Sequence, residues 1–354
     1  MASPLLMDRA SPLSREFSCG PFQVWKQFGL SVLGPPLLEI LEPFALARQR
    51  RGVSPRASYA SPAHSTHEVE YDDQYADYRP EDRQRLTSYD AHPKWNAYGE
   101  SPYAQVQDYS LYGRRGPEPK HVRQGNLGNC HMMASLAGVA SDPNAIRNMV
   151  QEAAPGRYHV NLHDPETLHP VRVHVDDHLP TDMEPDFHRS RGKKVLWPQV
   201  AEQGYVKLHD ARESVRRNRD TSERQTAGYM GIEGGTGIGA MHAFTGRRAD
   251  YLPIQNMSDG ELLHHLDKAN TPGVAVLAGS NFDRTQGMKS GIEPRHAYTV
   301  VGTRYSRSRN EYMVEVRNPH GGTQYPLLGT HGETVEMSLP RFRATFETVT
   351  TPIP

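Results

Sequence analysis

The stretch Gln124–Cys130, which reads QGNLGNC, leads directly into Cys130–Ala140, CHMMASLAGVA. Ala, Leu and Met are strong helix formers, so the second run predicts a helix that begins at Cys130 after a loop punctuated by glycines. The first N–H groups of a helix lack partners within it, and together with the helix dipole they stabilise an anion. The sequence therefore places a cysteine where a thiolate nucleophile is favoured. The chain has two cysteines, which excludes a disulfide framework, and Cys19 has no comparable surroundings.

Two later motifs supply the partners that a cysteine nucleophile needs. His296 opens the apolar run Ala297–Val301, which predicts a strand that holds the imidazole in place. Asn318 ends another strand-like run, and the following Pro319 restricts it to an extended backbone that suits an amide oxygen aimed at an imidazole. We expect Cys130 to attack a carbonyl carbon, His296 to accept and return the thiol proton, and Asn318 to orient His296.

Gln124, six residues before the cysteine, is the candidate oxyanion donor. Its side-chain amide and the Cys130 backbone N–H are expected to stabilise the developing negative charge. The chain order Cys, His, Asn, with more than a hundred residues between the first and the second, is that of papain-type proteases.

The remaining patterns predict an α+β fold in which a helical half packs against a β half, because helices precede strands and no βαβ repeat occurs. The predicted elements are a hairpin over Gly156–Val175, an amphipathic helix over Trp197–Leu208, a helix opened by the capping box Ser258 and Glu261, and strands at Val274–Leu277, Ala297–Val301 and Tyr312–Val316.

The N-terminal third has a different composition. Met1–Ala63 is rich in Ser and Pro, and nine of the 17 tyrosines fall within Tyr59–Tyr112 without a regular period. Such a segment buries too little apolar surface to offset its ordering entropy. We therefore predict a largely disordered extension over 1–115, a helical catalytic subdomain over 116–234 and a β subdomain over 235–350. An amphipathic membrane-surface segment at Trp25–Arg51 is an alternative that three prolines disfavour.

Charge and hydropathy exclude several classes of function. The 40 Lys and Arg balance 41 Asp and Glu, which argues against a nucleic-acid partner. The sequence contains no run of 18 apolar residues, so we expect no transmembrane segment. Charged residues from Asp8 to Glu16 disfavour a signal peptide. We expect a protein or peptide substrate and a cytoplasmic location, or delivery by a dedicated secretion system without a cleavable signal. The sequence does not indicate an oligomeric state.

Several motifs, in the same order, resemble the catalytic core of the calpain family. Gln124–His131 is similar to its Gln-Gly-x-Leu-Gly-Asp-Cys-Trp, Arg295–Gly302 to its Gly-His-Ala-Tyr-x-Val-x-Gly, and Arg317–Gly321 to its Arg-Asn-Pro-Trp-Gly. Further similarity occurs at Val175–Pro180, Leu196–Leu208, Gly234–Gly235, Phe244–Gly246 and Gly332–Phe346. The resemblance implies a papain-like cysteine protease fold with the cleft between the two subdomains. It also implies triad roles for Cys130, His296 and Asn318, and an oxyanion role for Gln124.

Three departures from these motifs affect the expected activity. His131 and His320 stand where the motifs carry tryptophan, and a smaller, polar imidazole shields the His296–Asn318 pair less well from water. We therefore expect weaker or more pH-sensitive activity. Animal calpains bind calcium through acidic residues in this core, but His121 stands where an acid is expected and no EF-hand loop occurs. We expect no cofactor; the family resemblance leaves calcium as an alternative that these residues disfavour.

The sequence also allows functions other than a protease. A catalytically silent calpain-like binding module is the first alternative, and a transglutaminase-type acyltransferase is the second, although such enzymes usually carry Asp in place of Asn318. A metal enzyme is disfavoured because no His-Glu-x-x-His motif occurs and His159 and His163, four apart on a strand, lie roughly 13 Å apart. The glycine run Gly234–Ala240 favours a subdomain linker over a dinucleotide site, since no βαβ unit surrounds it.

Overall fold

The computed structural model describes residues 78–94, 102–181, 186–217, 228–281, 291–321 and 333–353. All of them belong to one compact unit, and a second unit, Phe22–Glu70, lies outside the described residues. Cys19, the proposed surface segment Trp25–Arg51 and most of the predicted extension also lie outside them.

The described residues combine helices and strands, as the α+β prediction requires. The helices are α1 (Pro80–Thr87), α2 (Cys130–Val139), α3 (Pro143–Met149), α4 (Trp197–Arg217), α5 (Ile238–Thr245), α6 (Asp259–Leu266) and α7 (Leu339–Thr345). The strands are β1 (Tyr103–Gln105), β2 (Tyr109–Ser110), β3 (Val150–Ala154), β4 (Arg157–His163), β5 (Pro170–Asp176), β6 (His178–Pro180), β7 (Arg189–Ser190), β8 (Lys193–Val195), β9 (Ala249–Pro253), β10 (Leu277–Ser280), β11 (Ala297–Ser306), β12 (Glu311–Arg317), β13 (Thr334–Ser338) and β14 (Phe346–Pro352). No helix among these residues combines the length and the apolar character needed to cross a bilayer.

The helical half is built around α2, whose ten residues are all buried. The antiparallel sheet β3–β4–β5 lies beside α4, and β4 and β5 form the predicted hairpin, in register from Arg157↔Asp176 to His163↔Pro170. Gly204 of α4 lies so close to the sheet that a Cβ there would approach Val160 to 2.8 Å. A glycine is therefore required for the helix to pack at this distance.

The β half is one six-stranded antiparallel sheet in the order β13-β12-β11-β10-β14-β9. The apolar side chains of its core include Tyr298, Val314 and Phe342. The capping box of Ser258 and Glu261 opens α6 as predicted. The strand expected at Val274–Leu277 begins only at Leu277, and the Val274 N–H instead closes a turn with the Thr271 carbonyl at 3.1 Å.

The two halves meet where α2 packs against β11. Thr299 of β11 donates its hydroxyl to the Ala134 carbonyl at 2.8 Å, in a buried position. Gly138 of α2 approaches Ala275 so closely that a Cβ would lie 2.8 Å from the Ala275 backbone. These contacts join the middle and the last turn of α2 to β11 and to the segment before β10.

The folded part begins N-terminal to the expected boundary at residue 115. Leu86 of α1 is fully buried, and β1 pairs with β6. The Lys207 ammonium donates to the Ser88 carbonyl at 2.9 Å and thereby attaches the end of α1 to α4. The sequence did not indicate this ordered structure, because it has no periodic apolar face. Instead, the Tyr78 and Tyr109 hydroxyls hold these segments through hydrogen bonds to aspartates.

Candidate active site

His296 and Asn318 lie at the same edge of the six-stranded sheet. His296 directly precedes β11 and Asn318 directly follows β12, and the register Thr299↔Arg317 places the start of one strand beside the end of the other. The His296 Nε2 and Asn318 Oδ1 atoms are 2.9 Å apart. The structure thus brings together two residues that the sequence analysis paired.

The amide of Asn318 is oriented by several groups. Its oxygen accepts from His296 Nε2–H and from the His320 backbone N–H at 3.0 Å, while its nitrogen donates to the Tyr298 hydroxyl at 3.5 Å. Because an amide oxygen only accepts, it places the His296 proton on Nε2 and leaves the lone pair on Nδ1. The His296 backbone N–H donates to the Ser280 hydroxyl at 2.9 Å, which holds the residue against β10.

Cys130 is the first residue of α2, and its side chain is buried. The preceding Asn129 does not cap the helix with its side chain but donates to the Glu202 carboxyl at 2.5 Å. Burial raises the pKa of Glu202 to about 7, against the opposing effect of the Asn129 hydrogen bond. The Gly128 N–H donates to Glu233 at 3.1 Å, so residues from two other segments hold the loop before Cys130.

Gln124 joins the loop before Cys130 to the loop after Asn318. Its backbone N–H donates to the Pro319 carbonyl at 2.9 Å, and its side-chain nitrogen donates to the Leu127 carbonyl at 2.7 Å. The Arg317 guanidinium adds a second link, since it donates to the Val122 carbonyl at 2.6 Å. Gln124 is buried, and one of its two amide hydrogens is engaged within its own loop.

Tyr298 connects the cysteine electrostatically to this edge of the sheet. Burial, and then the electrostatic influence of Glu293 and of Cys130, raise the pKa of the Tyr298 phenol. The phenol oxygen accepts from the Glu293 backbone N–H at 2.8 Å, and the ring packs edge-on against His296, with centroids 5.2 Å apart. Cys130, Glu293 and His296 therefore all face one phenol.

Glu293 is a functional candidate that the sequence analysis did not name, whereas His320 was expected beside the His296–Asn318 pair. The His320 ring stacks on the His296 ring with centroids 4.9 Å apart and planes 8° apart. The Glu293 Oε2 atom lies 3.8 Å from His296 Nε2 and 4.0 Å from His320 Nε2. Burial, aided by the neighbouring His296, lowers the pKa of His320 to about 3. The signal for Glu293 in the sequence was its position, since an acid stands three residues before His296.

Within the part of the chain that the structure describes, two groups of side chains are spaced for a metal ion: Glu293 with His296 and His320, and His92 with Asp176 and His178. His159 and His163 both lie on β4, and neither belongs to these groups. Asp176 accepts from the His178 backbone N–H at 3.0 Å, so its carboxylate also stabilises the turn between β5 and β6.

His121 stands where the calpain motifs carry an acidic calcium ligand, and its imidazole is neutral. Burial lowers the pKa of His121 to about 4, and the Trp197 indole N–H donates to its Nδ1 at 3.3 Å. Calcium takes hard oxygen ligands. The residue present does not fit that ion.

The model of the family described as "Calpain family cysteine protease" matches residues 80–330. Calpain-12 of Homo sapiens is 28% identical in an alignment of 219 residues that covers 58% of this chain and 27% of that protein. Calpain-9 of Rattus norvegicus is 26% identical over 62% of this chain and 31% of its own length. Calpain-A of Drosophila melanogaster is 24% identical over 66% of this chain and 27% of its own length. The chain thus matches less than a third of the length of each of these relatives.

Proposed function

Since the chain belongs to the calpain family of cysteine proteases, we propose that it hydrolyses peptide bonds through a thioester on Cys130. In this proposal His296 is the base, Asn318 orients it, and Gln124 contributes to the oxyanion site. The observation that supports it most directly is the 2.9 Å contact between His296 Nε2 and Asn318 Oδ1, because it leaves Nδ1 as the nitrogen that can accept a thiol proton.

The proposed reaction begins with transfer of the Cys130 thiol proton to His296 Nδ1. The thiolate attacks the carbonyl carbon, and the oxyanion is stabilised by the Cys130 backbone N–H and the second amide hydrogen of Gln124. The amine leaves with the proton held on His296, and a thioester remains. A water molecule, deprotonated by His296, then hydrolyses the thioester, releases the acid product and restores the thiol.

The domain division is also part of the proposal. We assign a helical catalytic subdomain to 116–234 and a β subdomain to 235–350, with the substrate cleft between them. The described contact of α2 with β11 supports this arrangement, because it joins the middle of the cysteine helix to the strand that follows His296. The substrate would be a protein or peptide, held in the cleft for attack by Cys130.

A catalytically silent binding module is the second candidate. The observation in its favour is the His320 ring, which stacks on His296 where the resembling motif carries tryptophan. A polar imidazole there would admit water to the His296–Asn318 pair. A silent module retains the fold but lacks an activated cysteine, so the reactivity of Cys130 separates the two candidates.

The test is labelling of the full chain with a cysteine-directed epoxide, followed by peptide mass analysis. We expect rapid alkylation of Cys130 that is lost in His296→Ala, with slow alkylation of Cys19 as the internal reference. Casein hydrolysis by wild type and by Cys130→Ala provides the second measurement, and Cys19→Ala is the matched control for removal of a thiol. Alkylation of Cys130 no faster than that of Cys19, together with no casein cleavage, would establish the silent module instead.

A further inference from the structure

The cluster of Glu293, His296 and His320 has a use that the proposed peptidase reaction does not require. The three ligand atoms, one carboxylate oxygen and two imidazole nitrogens, all lie within 4.8 Å of one another. We propose that these three residues bind Zn²⁺ and that the bound ion reversibly switches off the peptidase. The binding site stands on its own geometry, whereas the inhibitory effect rests on the proposed function.

The donor set and its spacing favour zinc. Two imidazoles and a carboxylate, with one position left open, form a common zinc ligand set. Ligand atoms about 2.0 Å from a tetrahedral ion lie about 3.3 Å from one another. Glu293 Oε2 is already 3.8 and 4.0 Å from the two Nε2 atoms. Closing the site requires a shift of about 1 Å and a rotation of the His320 ring out of its stacked orientation.

One ligand atom of this cluster lacks a hydrogen-bond donor. The Glu293 Oε2 atom is buried and accepts no hydrogen bond from the residues that the structure describes. The two imidazoles already have partners, since His296 Nε2 contacts Asn318 Oδ1 at 2.9 Å and His320 bonds to the Gln124 backbone, so the ion must displace these contacts. A buried carboxylate oxygen without a donor favours a cation beside it.

Inhibition follows from the tautomer of His296. In the proposed active form, the proton is on Nε2 and points to Asn318 Oδ1, while the lone pair is on Nδ1. Zinc at Nε2 needs the lone pair there, so the proton moves from Nε2 to Nδ1 and the contact with Asn318 is broken. The nitrogen that would accept the Cys130 proton then carries a proton of its own. No bond to the cysteine is made, so removing the ion restores the base.

The second cluster provides a matched control. His92 Nε2 lies 3.0 Å from Asp176 Oδ2, and His178 Nδ1 lies 3.4 Å from the same oxygen. This cluster is on the helical half, at the turn between β5 and β6, and contains none of the proposed catalytic residues. Loss of a histidine there tests whether zinc binds to any paired His and Asp or specifically beside His296.

The binding test is calorimetric titration of Zn²⁺ into the full-length Cys130→Ser chain, which excludes the thiol as a ligand. We expect a zinc-binding step whose Kd rises at least about 100-fold in Glu293→Gln and in His320→Phe but is retained in His178→Phe. Thermal unfolding with EDTA verifies that each variant is folded. Visible absorption of the Co²⁺-loaded Cys130→Ser chain gives a second measurement, with bands typical of four-coordinate nitrogen and oxygen ligation.

A binding step unaffected by Glu293→Gln and His320→Phe, or abolished only by His178→Phe, would overturn the site. So would an absence of both the zinc step and the cobalt bands.

The inhibition test compares casein hydrolysis by wild type in EDTA with hydrolysis at rising Zn²⁺. We expect inhibition that EDTA reverses, and a rise of at least about 10-fold in the inhibitory zinc concentration for His320→Trp, which loses one ligand. Full activity at a zinc concentration above the measured Kd would overturn the switch. Absence of activity even in EDTA, with zinc binding intact, would instead refute the proposed peptidase while the metal site remained.

Discussion

His131 and His320 each stand where the calpain motifs carry tryptophan, yet the two histidines have different surroundings in the structure. His131 lies inside α2 and is fully buried, and a Cβ on Gly235 would approach its Nε2 to 3.0 Å. His320 follows the Asn318 turn, stacks on His296 and faces Glu293. One histidine belongs to a packed core, whereas the other lies in the charge environment of the candidate base.

The difference shows that the position in the fold, rather than the residue type, decides what a substitution changes. Burial lowers the pKa of both imidazoles, to about 4 for His131 and about 3 for His320. The next contribution is His209 for His131 and His296 for His320. Changes at His131 should therefore alter stability, and changes around His320 should alter the activity of the proposed peptidase.

The largest expected effect is at Asn318, the residue that links the His320 loop to His296. Asn318→Ala removes the acceptor that fixes the His296 tautomer, so kcat/KM for a peptide substrate should fall by about 100- to 1,000-fold. The unfolding midpoint should change little, because the Asn318 side chain is half-buried. Tyr298→Phe is the matched control, since it removes the hydroxyl that faces the Asn318 nitrogen and the Glu293 N–H but leaves the Asn318 oxygen on His296. Equal losses in the two variants would contradict an orienting role.

Acid stability should respond to both histidines. Each has a folded pKa below the ordinary value of 6.5, so the stability it supports is complete above pH 6.5 and is lost as pH falls toward 4. His131→Phe should remove about 3 kcal/mol of this acid-dependent loss. The measurement is the denaturant midpoint of wild type and variant from about pH 7 to pH 4.

His320→Phe sharpens the comparison, because it should reduce the same acid-dependent loss of stability and also change the pH profile of kcat/KM. His131→Phe should leave that profile unchanged. A shifted activity profile in His131→Phe would show that the core histidine also acts on the site and would remove the distinction between the two positions.

Glu202, on the helical half, should show the opposite dependence of stability on pH. Its folded pKa, about 7, lies above the ordinary value of 4.5, so its contribution to stability is complete below about pH 4.5 and declines as pH rises to 7. Glu202→Gln keeps an acceptor for the Asn129 amide without an ionisable group. The variant should match wild type near pH 4 and exceed it by about 3 kcal/mol above pH 7. A stability difference that does not vary with pH would show that Glu202 is not the titrating group.

The pairing of His296 and Asn318 could be predicted because both residues flank strands, and neighbouring antiparallel strands bring the start of one to the end of the other. Helix α2 could be predicted from its composition. The contact with Glu293 could not, because it depends on the turn before His296. There Arg295 adopts a φ of +56°, a left-handed conformation that favours glycine, and the resembling motif has glycine at this position.

The order within residues 78–94 and 102–115 was not predicted, for a different reason. These segments are held by long-range polar contacts, such as the Tyr78 hydroxyl donating to Asp164 at 2.7 Å and His92 pairing with Asp176. Such contacts have no local period in the sequence, so a method based on apolar periodicity assigns the segment to the extension. The boundary of the folded part is therefore set by partners more than 80 residues away.

The smallest expected effect tests whether the His320 ring is a weaker shield than the tryptophan of the motif. His320→Trp adds apolar area over His296, and aromatic contacts of this kind contribute about 0.5–1.5 kcal/mol, which corresponds to a gain of about 2- to 10-fold in kcat. The measurement is casein or peptide turnover in EDTA, so that zinc does not affect the comparison. His131→Trp is the matched control: it places an indole beside Gly235 rather than over His296, so it should not raise turnover. If His320→Trp is no faster than wild type, the imidazole shields His296 as well as an indole does. The weak activity expected from this departure would then have no structural basis.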